Sequence, residues 1–257
     1  MMFLAIDIGN TSTKFGLFKE EEPFEMVFHF TTSSILSSEH IEDDLLPKLV
    51  ALGDLSSIII ASVVPLGTDA IKNILLRSHK EAKITVLKNQ DIPIVNTYKK
   101  PDQVGIDRLL SSLAAYSKWG KEVKKPTIVI GFGTATTIDC INSDGEYLGG
   151  IIALGIEASA KYLSQVAAQL PEIDLTFPNH ILGQTTSESI QSGILYGSLS
   201  MIEGLIVELH DEVFSNQDVI VVATGGFSKL FENKTKVIDH ITPNLVLEGI
   251  AISAFNK

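Results

Sequence analysis

FLAIDIGNTSTKFGLF, residues 3–18, places a polar glycine turn between two apolar runs. The run Phe3–Ile8 is apolar except for one aspartate, as expected for a buried strand, and Thr13–Phe18 resumes a strand-like pattern. The stretch therefore predicts a β-hairpin. A charged connection over 19–25 and a third strand at Met26–Phe30 follow, so we expect the chain to open with three consecutive strands.

The turn Asp7-Ile8-Gly9-Asn10-Thr11 carries groups that suit phosphate binding. Glycine lets backbone N–H groups approach phosphate oxygens closely, and the asparagine and threonine side chains add hydrogen-bond donors. The carboxylate of Asp7 can hold Mg²⁺ through water. Taken alone, this turn also fits an ordinary tight hairpin with no ligand.

The same pattern returns close to half the chain further on. Residues 131–134, Gly-Phe-Gly-Thr, follow a predicted strand at Thr127–Ile130 and precede another at Thr136–Ile141. Two copies at this separation indicate an internal duplication, with two related α/β domains around a cleft. We expect these domains at 1–120 and 121–257. A chance likeness between two glycine hairpins is the alternative.

Further periodic stretches predict strands and helices in both halves. Strands are predicted at 58–64, 84–87, 147–152 and 219–223, and helices at 68–77, 158–170 and 187–213. The last helix follows Thr185-x-x-Glu188, which has the spacing of a capping box. Ser38 is a candidate cap for a helix across the acidic stretch 39–44.

The composition predicts a globular protein with little affinity for polyanions. The chain has 257 residues, 45% of them hydrophobic, and a net charge of −11. Nucleic acids and anionic membranes bind concentrated Lys and Arg, so we expect neither as a partner.

Cys140 is the single cysteine, which excludes an intramolecular disulfide and favours the cytoplasm. The N-terminus lacks the basic region of a signal peptide, and the apolar run 58–66 is too short for a membrane helix.

Two common nucleotide-binding signatures do not occur in the sequence. It has no Gly-x-x-x-x-Gly-Lys-Ser/Thr string, which excludes a P-loop. Gly131-x-Gly133 lacks a third glycine and leads into a predicted strand, so it does not fit the dinucleotide fingerprint. The pattern favours two glycine turns that clasp a triphosphate from opposite sides.

A second group of polar residues precedes a predicted helix. Val104-Gly105-Ile106-Asp107-Arg108 leads into apolar residues at helical spacing. An acid in a first turn can simply complement the helix dipole. Alternatively, the pair supplies a carboxylate that accepts a hydroxyl proton and a cation that holds an anion. A further glycine turn, Thr224-Gly225-Gly226, offers backbone on which a flat ring could lie.

Together these strings resemble the type III pantothenate kinases, members of the acetate and sugar kinase, Hsp70 and actin superfamily. The matching motifs are Asp7-x-Gly-Asn-Thr-x-x-Lys14, Ser62-Val-Val-Pro65, Tyr98-x-x-Pro101-x-x-Val-Gly-x-Asp107-Arg108, Gly133-Thr-Ala-Thr-Thr-x-Asp139, Tyr147-Leu-Gly-Gly150, Leu170-Pro171, Gly183-x-x-Thr186 and Thr224-Gly-Gly226. They span almost the whole chain. The resemblance implies an α/β fold of two duplicated ribonuclease H-like domains, as in actin-like ATPases, around a central cleft.

Enzymes of this family phosphorylate pantothenate with ATP, the first committed step of coenzyme A synthesis. The resemblance implies ATP with Mg²⁺, a K⁺ or NH₄⁺ ion, and a homodimer whose active site lies at the subunit interface. The ATP-binding residues that it implies are Asp7, Ile8, Gly9, Asn10, Thr11, Ser12, Thr13, Lys14, Thr134, Gly225 and Gly226, with Asp7 also at the metal. The pantothenate-binding residues that it implies are Tyr98, Gly105, Ile106, Asp107, Arg108 and Thr186, with Asp107 as the catalytic base.

Three positions depart from the family's pattern. Gly131 stands where the family has an aspartate associated with the K⁺ or NH₄⁺ ion, which puts that cation site in question. Lys100 replaces the usual Asn or Asp before Pro101, and Leu154 lies where a Pro-Gly pair usually follows the Tyr-Leu-Gly-Gly turn. The last two changes fall on the predicted substrate side and can alter affinity without changing the reaction.

Two other functions are compatible with the same scaffold. One is a catalytically weak regulatory protein, since some relatives carry the transcriptional-activator label Bvg accessory factor. The net charge and the lack of a helix-turn-helix pattern count against DNA contact. The other is a kinase of a different small hydroxyl substrate, because a fold does not determine the substrate. Tyr98, Arg108 and Thr186 favour pantothenate, through the resemblance alone.

Overall fold

The computed structural model describes residues 2–19, 25–37, 41–215 and 217–255. Most of the charged connection predicted at 19–25 lies outside these residues, as does the helix cap predicted at Ser38. The chain forms two compact units. The first comprises Met1–Ile94, Tyr98–Ala114 and Leu245–Lys257, and the second comprises Val95–Thr97 and Ala115–Asn244.

The first unit is built on a five-stranded sheet in the order β3-β2-β1-β4-β5. Its elements are β1 (Met2–Ile8), β2 (Ser12–Lys19), β3 (Glu25–Thr31), α1 (Thr32–Ser37), α2 (Ile41–Val50), β4 (Ser57–Ser62), α3 (Pro65–Ser78), β5 (Lys83–Val86) and α4 (Ile106–Ala115). Strand β1 pairs antiparallel with β2 and parallel with β4. Both β1 and β4 are central strands, which explains their nearly continuous apolar sequences.

The second unit repeats this pairing in a six-stranded sheet, in the order β11-β10-β7-β8-β9-β6. Its elements are β6 (Val95–Asn96), β7 (Thr127–Phe132), β8 (Ala135–Ile141), β9 (Glu146–Leu154), α5 (Ile156–Val166), α6 (Thr186–Glu212), β10 (Ile220–Thr224) and β11 (His240–Ile241). Strand β7 pairs antiparallel with β8 and parallel with β10, as β1 does with β2 and β4. The duplicated topology expected from the two glycine turns is confirmed.

Helix α6 begins at the predicted capping box. The Glu188 N–H donates to Thr185 Oγ1 at 3.2 Å, and the Glu188 carboxylate accepts from the Thr185 N–H at 3.1 Å. By length and composition, α6 is the one helix in the described part of the chain that could cross a membrane. Its apolar residues Leu195, Leu199 and Ile202 lie in the core of the second unit, so core packing accounts for the hydropathy.

The last helix, α7 (Leu245–Phe255), was not expected from the sequence. It packs against β1, β2 and β4 in the first unit. It also crosses α4 closely, because a Cβ at Gly249 would lie only 2.2 Å from the Leu110 carbonyl oxygen. The expected division assigned these residues to the domain 121–257, whereas here they pack with the N-terminal strands. The boundary of the duplicated copies stays a prediction.

Candidate active site

The first glycine turn joins β1 to β2 and is flanked by two opposite charges. In the hairpin register, Asp7 lies directly across from Lys14. The Gly9 N–H donates to the Ser12 carbonyl oxygen at 3.0 Å, which closes the turn. Asn10 and Thr11 at the tip of the turn are exposed. The turn thus places its polar groups at the end of a buried strand, with a cation and a carboxylate beside them.

Two residues of the predicted ATP-binding run have buried side chains. Ile8 and Thr13 are each 0% exposed, since both face the interior of the first unit. Neither residue is therefore open to direct contact with a ligand in this structure. The sequence pattern could not distinguish these two positions from their exposed neighbours.

The turn also has a support that the sequence analysis missed. Thr32, the first residue of α1, is 1% exposed, and its hydroxyl donates to the Gly9 carbonyl oxygen at 2.6 Å. Its backbone N–H donates to the Thr11 carbonyl oxygen at 2.9 Å. Nothing in the local sequence distinguishes Thr32 from Thr31, because only the pairing of β3 with β2 brings it to the turn.

Three ionisable residues of the first unit, Asp7, Lys14 and Asp107, lie close enough to interact electrostatically. Burial raises the pKa of Asp7 to about 7, the charge of Lys14 lowers it, and the carboxylate of Asp107 raises it further. Burial lowers the pKa of Lys14 and raises the pKa of Asp107. The first unit thus brings together Asp7, Lys14 and Asp107, three residues that the sequence placed in the same site.

Asp107 lies in the first turn of α4, where its carboxylate folds back over the helix start. It accepts hydrogen bonds from the backbone N–H groups of Asp107 and Arg108, which lower its pKa against the larger effect of burial. A Cβ at Gly105 would lie 2.4 Å from Asp107 Oδ1, so glycine leaves the carboxylate the space that it occupies. Upstream, Asn89 Nδ2 donates to the Val104 carbonyl oxygen at 2.8 Å and fixes the approach to the helix.

A polar cavity of about 490 Å³ adjoins this helix start. Its lining residues come from the ends of β4 and β5 and from the start of α4: Ser62, Val63, Leu87, Lys88, Asn89, Gln90, Asp102, Gln103, Val104, Gly105 and Ile106. Gly105 and Ile106 belong to the predicted pantothenate-binding residues. Space for a small polar molecule therefore exists beside them within the first unit.

The second glycine turn, in the second unit, has no charged pair. Gly131 lies across from Thr137 in the register, and a Cβ at Gly131 would be 2.6 Å from Thr137 Oγ1. The Gly133 N–H donates to the Ala135 carbonyl oxygen at 3.1 Å, and the exposed Thr134 occupies the tip. This turn offers backbone and hydroxyl groups rather than charge.

Two distant glycines pack against this turn. Gly155 donates its N–H to the Thr134 carbonyl oxygen at 3.2 Å, and a Cβ at Gly155 would lie 2.3 Å from that same oxygen. Gly225 has φ +95° and leaves no space for a Cβ, which would lie 2.3 Å from the Phe132 carbonyl oxygen. Gly226 is exposed, with nothing within 4 Å of its absent Cβ. Backbone packing therefore places Gly225 against Phe132, two residues before Thr134 in the chain.

The remaining predicted substrate residues lie at two other places. Tyr98 follows β6, and its neighbour Thr97 donates both its N–H and its hydroxyl to the Tyr147 carbonyl oxygen, at 3.0 and 2.9 Å. Thr186, at the start of α6, is exposed and lines a largely apolar cavity of about 620 Å³ together with Leu154. Lys100, the other departure from the family's pattern, is exposed.

The donor set suits a metal ion that arrives with a nucleotide. Among the described residues, no group of three His, Cys, Asp or Glu could hold a metal ion by itself. Mg²⁺ usually keeps several waters and binds through one or two carboxylates plus phosphate oxygens. Asp7 beside a phosphate-type turn fits that requirement.

Solved structures with this architecture define the class of the fold. An archaeal actin homolog has a TM-score of 0.53 and 14% identity, with all of both chains covered. A Campylobacter jejuni protein assigned to the Baf family of transcriptional activators has a TM-score of 0.61 and 20% identity, with 98% of each chain covered. At these identities the likeness shows the fold alone, which is that of a duplicated actin-like protein.

Sequence comparison identifies the family within this class. Residues 3–208 match the family described as Type III pantothenate kinase. Proteins named type III pantothenate kinase from Paramagnetospirillum magneticum and Agathobacter rectalis are each 36% identical, over 97% of this chain and 95% of their own. The chain belongs to the type III pantothenate kinase family. It is an ATP-dependent pantothenate kinase, and its reaction uses ATP with a divalent metal.

Proposed function

We propose that the first glycine turn binds the ATP phosphates and that Asp107 is the base that activates the pantothenate hydroxyl. The observation that carries this proposal is the electrostatic coupling of Asp7, Lys14 and Asp107 beside an exposed turn. Phosphoryl transfer requires positioning, charge neutralisation and a proton acceptor near the attacking oxygen. One cation, one metal-binding carboxylate and one basic carboxylate meet these three requirements.

In this proposal the pantothenate hydroxyl attacks the γ-phosphorus while its proton passes to an Asp107 carboxylate oxygen. The bond from phosphorus to the β,γ-bridging oxygen breaks, and ADP leaves. Lys14 and the donors of the turn hold the phosphate oxygens in line with the attacking hydroxyl. A divalent metal bound with ATP neutralises phosphate charge, and Asp7 is the residue that would hold it.

The environment of Asp107 supports its proposed role. An ordinary aspartate is a weak base at neutral pH, and a pKa raised by burial makes its carboxylate a better proton acceptor. The backbone hydrogen bonds from its own helix hold the carboxylate in a fixed orientation. We assign Arg108, Tyr98, Gly105, Ile106 and Thr186 to the binding of pantothenate. Of these, Gly105 and Ile106 line the polar cavity at the start of α4.

The remaining residues that we assign to ATP lie in the second unit. Thr134 is assigned to phosphate, and Gly225 with Gly226 to the adenosine. The open face of Gly226 supports this assignment, because a flat ring can approach backbone that carries no side chain. Gly225 has the different task of packing against Phe132, so the two adjacent glycines are not equivalent.

Substitution of Asp107 tests the proposal. Asp107→Asn should keep ATP binding and folding while lowering turnover about 100-fold or more, the usual scale of general-base loss. ADP release measured with and without pantothenate reports the reaction. Asp69→Asn, an exposed carboxylate on α3, is the matched control and should turn over like the parent protein. Turnover of Asp107→Asn at the parent rate would remove Asp107 from the mechanism.

We further propose a homodimer with the active site at the subunit interface. Large exposed side chains on β9 and α5 support this proposal, namely Ile152, Leu154, Tyr162 and Val166 at 58–64% exposure. Large apolar side chains exposed on successive elements are typical of a protein interface. We expect a twofold-symmetric dimer in sedimentation experiments. A fully active monomer at assay concentrations would contradict this expectation.

For the monovalent cation, we propose a weakened dependence on K⁺ or NH₄⁺. Gly131 contributes no carboxylate, and the Thr137 hydroxyl lies only 2.6 Å from the position that a Cβ at residue 131 would take. Asp139 nearby on β8 is already engaged, since it accepts a hydrogen bond from the Tyr147 hydroxyl at 2.7 Å. We also propose a cytoplasmic location and no nucleic-acid partner, in keeping with a net charge of −11.

A further inference from the structure

We infer that Thr32 is a positioning residue for ATP, because it aims the backbone N–H groups of the first glycine turn. The inference rests on the proposed assignment of that turn to the ATP phosphates. Thr32 lies at the junction of β3 and α1 and is 1% exposed, so a ligand does not reach its side chain. Its effect on a ligand must pass through the turn.

A chain of two hydroxyl groups ends on the turn. The Thr32 hydroxyl donates its single proton to the Gly9 carbonyl oxygen at 2.6 Å. The hydroxyl oxygens of Thr13 and Thr32 are 3.0 Å apart, and since the Thr32 proton is already used, Thr13 is the donor in this pair. Successive hydrogen bonds of this kind strengthen one another in a buried environment. The Gly9 carbonyl is therefore held firmly toward α1.

The same residue holds a second carbonyl of the turn. The Thr32 N–H donates to the Thr11 carbonyl oxygen at 2.9 Å. One threonine thus fixes two peptide groups, through its side chain and through its backbone. The Gly9 N–H is fixed separately by the Ser12 carbonyl oxygen at 3.0 Å.

Peptide geometry converts these contacts into an orientation of donors. In a trans peptide, the carbonyl and the following N–H point in opposite directions. Because the carbonyls of Gly9 and Thr11 point toward Thr32, the N–H groups of Asn10 and Ser12 point away from it. Asn10 lies at the exposed tip of the turn, so an N–H that points away from the buried Thr32 is open to a phosphate. Donors aimed in advance bind an anion without reorganisation.

Removing the hydroxyl should therefore weaken nucleotide binding. Thr32→Val keeps the shape of the side chain but leaves the Gly9 carbonyl without its donor. We expect the Kd for Mg²⁺ with the β,γ-imido analogue of ATP, measured by calorimetry without pantothenate, to rise about 5- to 30-fold. The KM for pantothenate should change less than twofold. Thr32→Ser retains the hydroxyl and should bind the analogue within about threefold of the parent protein.

A matched control separates this effect from a general loss of a buried hydroxyl. Ser253 on α7 is also 1% exposed, and its hydroxyl donates to the Gly249 carbonyl oxygen at 2.9 Å. Ser253→Ala should bind the analogue like the parent protein. If Thr32→Val does not fold, Thr13→Val, which removes only the supporting donor, should still weaken binding about two- to fivefold.

The outcomes distinguish this inference from the proposed function. If folded Thr32→Val binds the analogue like the parent protein, or Thr32→Ser binds as weakly as Thr32→Val, Thr32 does not aim the turn through its hydroxyl. Parent-like binding by Thr13→Val would overturn the inference in the same way. If the parent protein does not bind the analogue, or Lys14→Met does not weaken binding, the assignment of the turn to ATP fails instead.

Discussion

The two glycine turns of this chain have related hairpins but are held in place by different means. The last strand pair before the first turn is Ile8 with Thr13, and the last pair before the second turn is Phe132 with Thr136. The loop of the second turn is therefore one residue shorter. The first turn is flanked by two charges and fixed by the hydroxyl of Thr32. The second has no charged pair.

The second turn is instead held by two glycines that pack directly against its backbone. Gly155 and Gly225 each approach carbonyl oxygens of this turn so closely that a Cβ would lie at 2.3 Å. The two copies of a duplicated motif can thus keep the same hairpin topology while their side chains and packing differ. The first copy carries a lysine and an aspartate, and the second carries closely packed glycines and exposed backbone.

The largest effect is expected from the cation of the first turn. Lys14→Met should lower kcat/KM for ATP about 1,000-fold, because a positive charge near the transferred phosphoryl group is lost. The protein should remain folded, since Asp7, with a pKa of about 7, can take up a proton when its partner is removed. Measurement of ADP release checks the rate, and circular dichroism checks the fold.

Lys19→Met is the matched control for this prediction. Lys19 lies at the exposed end of the same strand and should be replaceable without loss of rate. A loss below tenfold in Lys14→Met would show that the charge of the first turn is not what distinguishes it from the second.

The next effect tests the glycine packing of the second turn. Gly225→Ala should destabilise the protein by about 2 kcal/mol or more, since alanine is strained at φ +95° and overlaps the Phe132 carbonyl oxygen. Gly226→Ala should change stability by less than about 0.5 kcal/mol, because nothing lies within 4 Å of the added methyl group. Urea unfolding of both variants measures the difference.

Gly9→Ala extends the same test to the first turn. A Cβ at Gly9 would be 3.1 Å from the Ser12 carbonyl oxygen, a contact that a shift of a few tenths of an ångström relieves. We expect a cost of about 1 kcal/mol or less, well under that of Gly225→Ala. Equal costs at the two positions would mean that both turns depend on glycine packing to the same degree.

The pH dependence of the reaction rate should report the raised pKa values of Asp7 and Asp107. Asp7 must be ionised to hold a metal, and Asp107 must be ionised to accept a proton. Burial raises both pKa values, that of Asp7 to about 7, so log kcat/KM should fall by at least one unit per pH unit below pH 7. An ordinary aspartate would give this fall only near pH 4. A flat profile down to pH 5 would contradict the burial of these carboxylates.

Protein stability should change in the opposite sense. Folded Asp7 binds its proton more tightly than it does in the unfolded chain, where its pKa is near 3.8. Its contribution to the free energy of unfolding is therefore present below that value and is lost as the pH rises through about 7. In Asp7→Asn, the fall in stability between pH 5 and pH 8 should be smaller than in the parent protein.

The smallest effect concerns Gly131, where the second turn lacks the carboxylate that the family associates with a monovalent cation. We expect activity to change little when Na⁺ replaces K⁺ at constant ionic strength. Gly131→Asp should increase the response to K⁺ a few-fold, because a carboxylate attracts the ion across a few ångströms. Combining it with Thr137→Ala removes the hydroxyl that crowds the new side chain.

The control for this prediction is ionic strength, held constant with Na⁺ in every measurement. Strong K⁺ activation of the parent protein that Gly131→Asp leaves unchanged would place the ion elsewhere. It would also show that the glycine at residue 131 does not reduce the dependence of the enzyme on K⁺.

The sequence predicted most of the fold because its elements have clear periodic patterns. The strands on either side of both glycine turns lie where the sequence pattern predicts them. The capping box of α6 forms at the predicted Thr185–Glu188 spacing. Helix α7 was missed because LVLEGIAISAF is apolar on nearly every side, which hides the helical period. The helix predicted at 158–170 ends at Val166, four residues earlier, because the end of a helix is the part that a sequence pattern defines least well.

At the candidate site, the chemistry of the residues follows from their identity, whereas their geometry depends on the folded chain. Residue type and spacing single out Asp7 and Asp107, and the resemblance to the family adds Lys14, because charge and proton affinity belong to the side chain itself. The burial that raises the pKa of Asp7 and the hydroxyl of Thr32 on Gly9, 23 residues away, arise only when strands pair. Such contacts join segments far apart in the chain, and no local period records them.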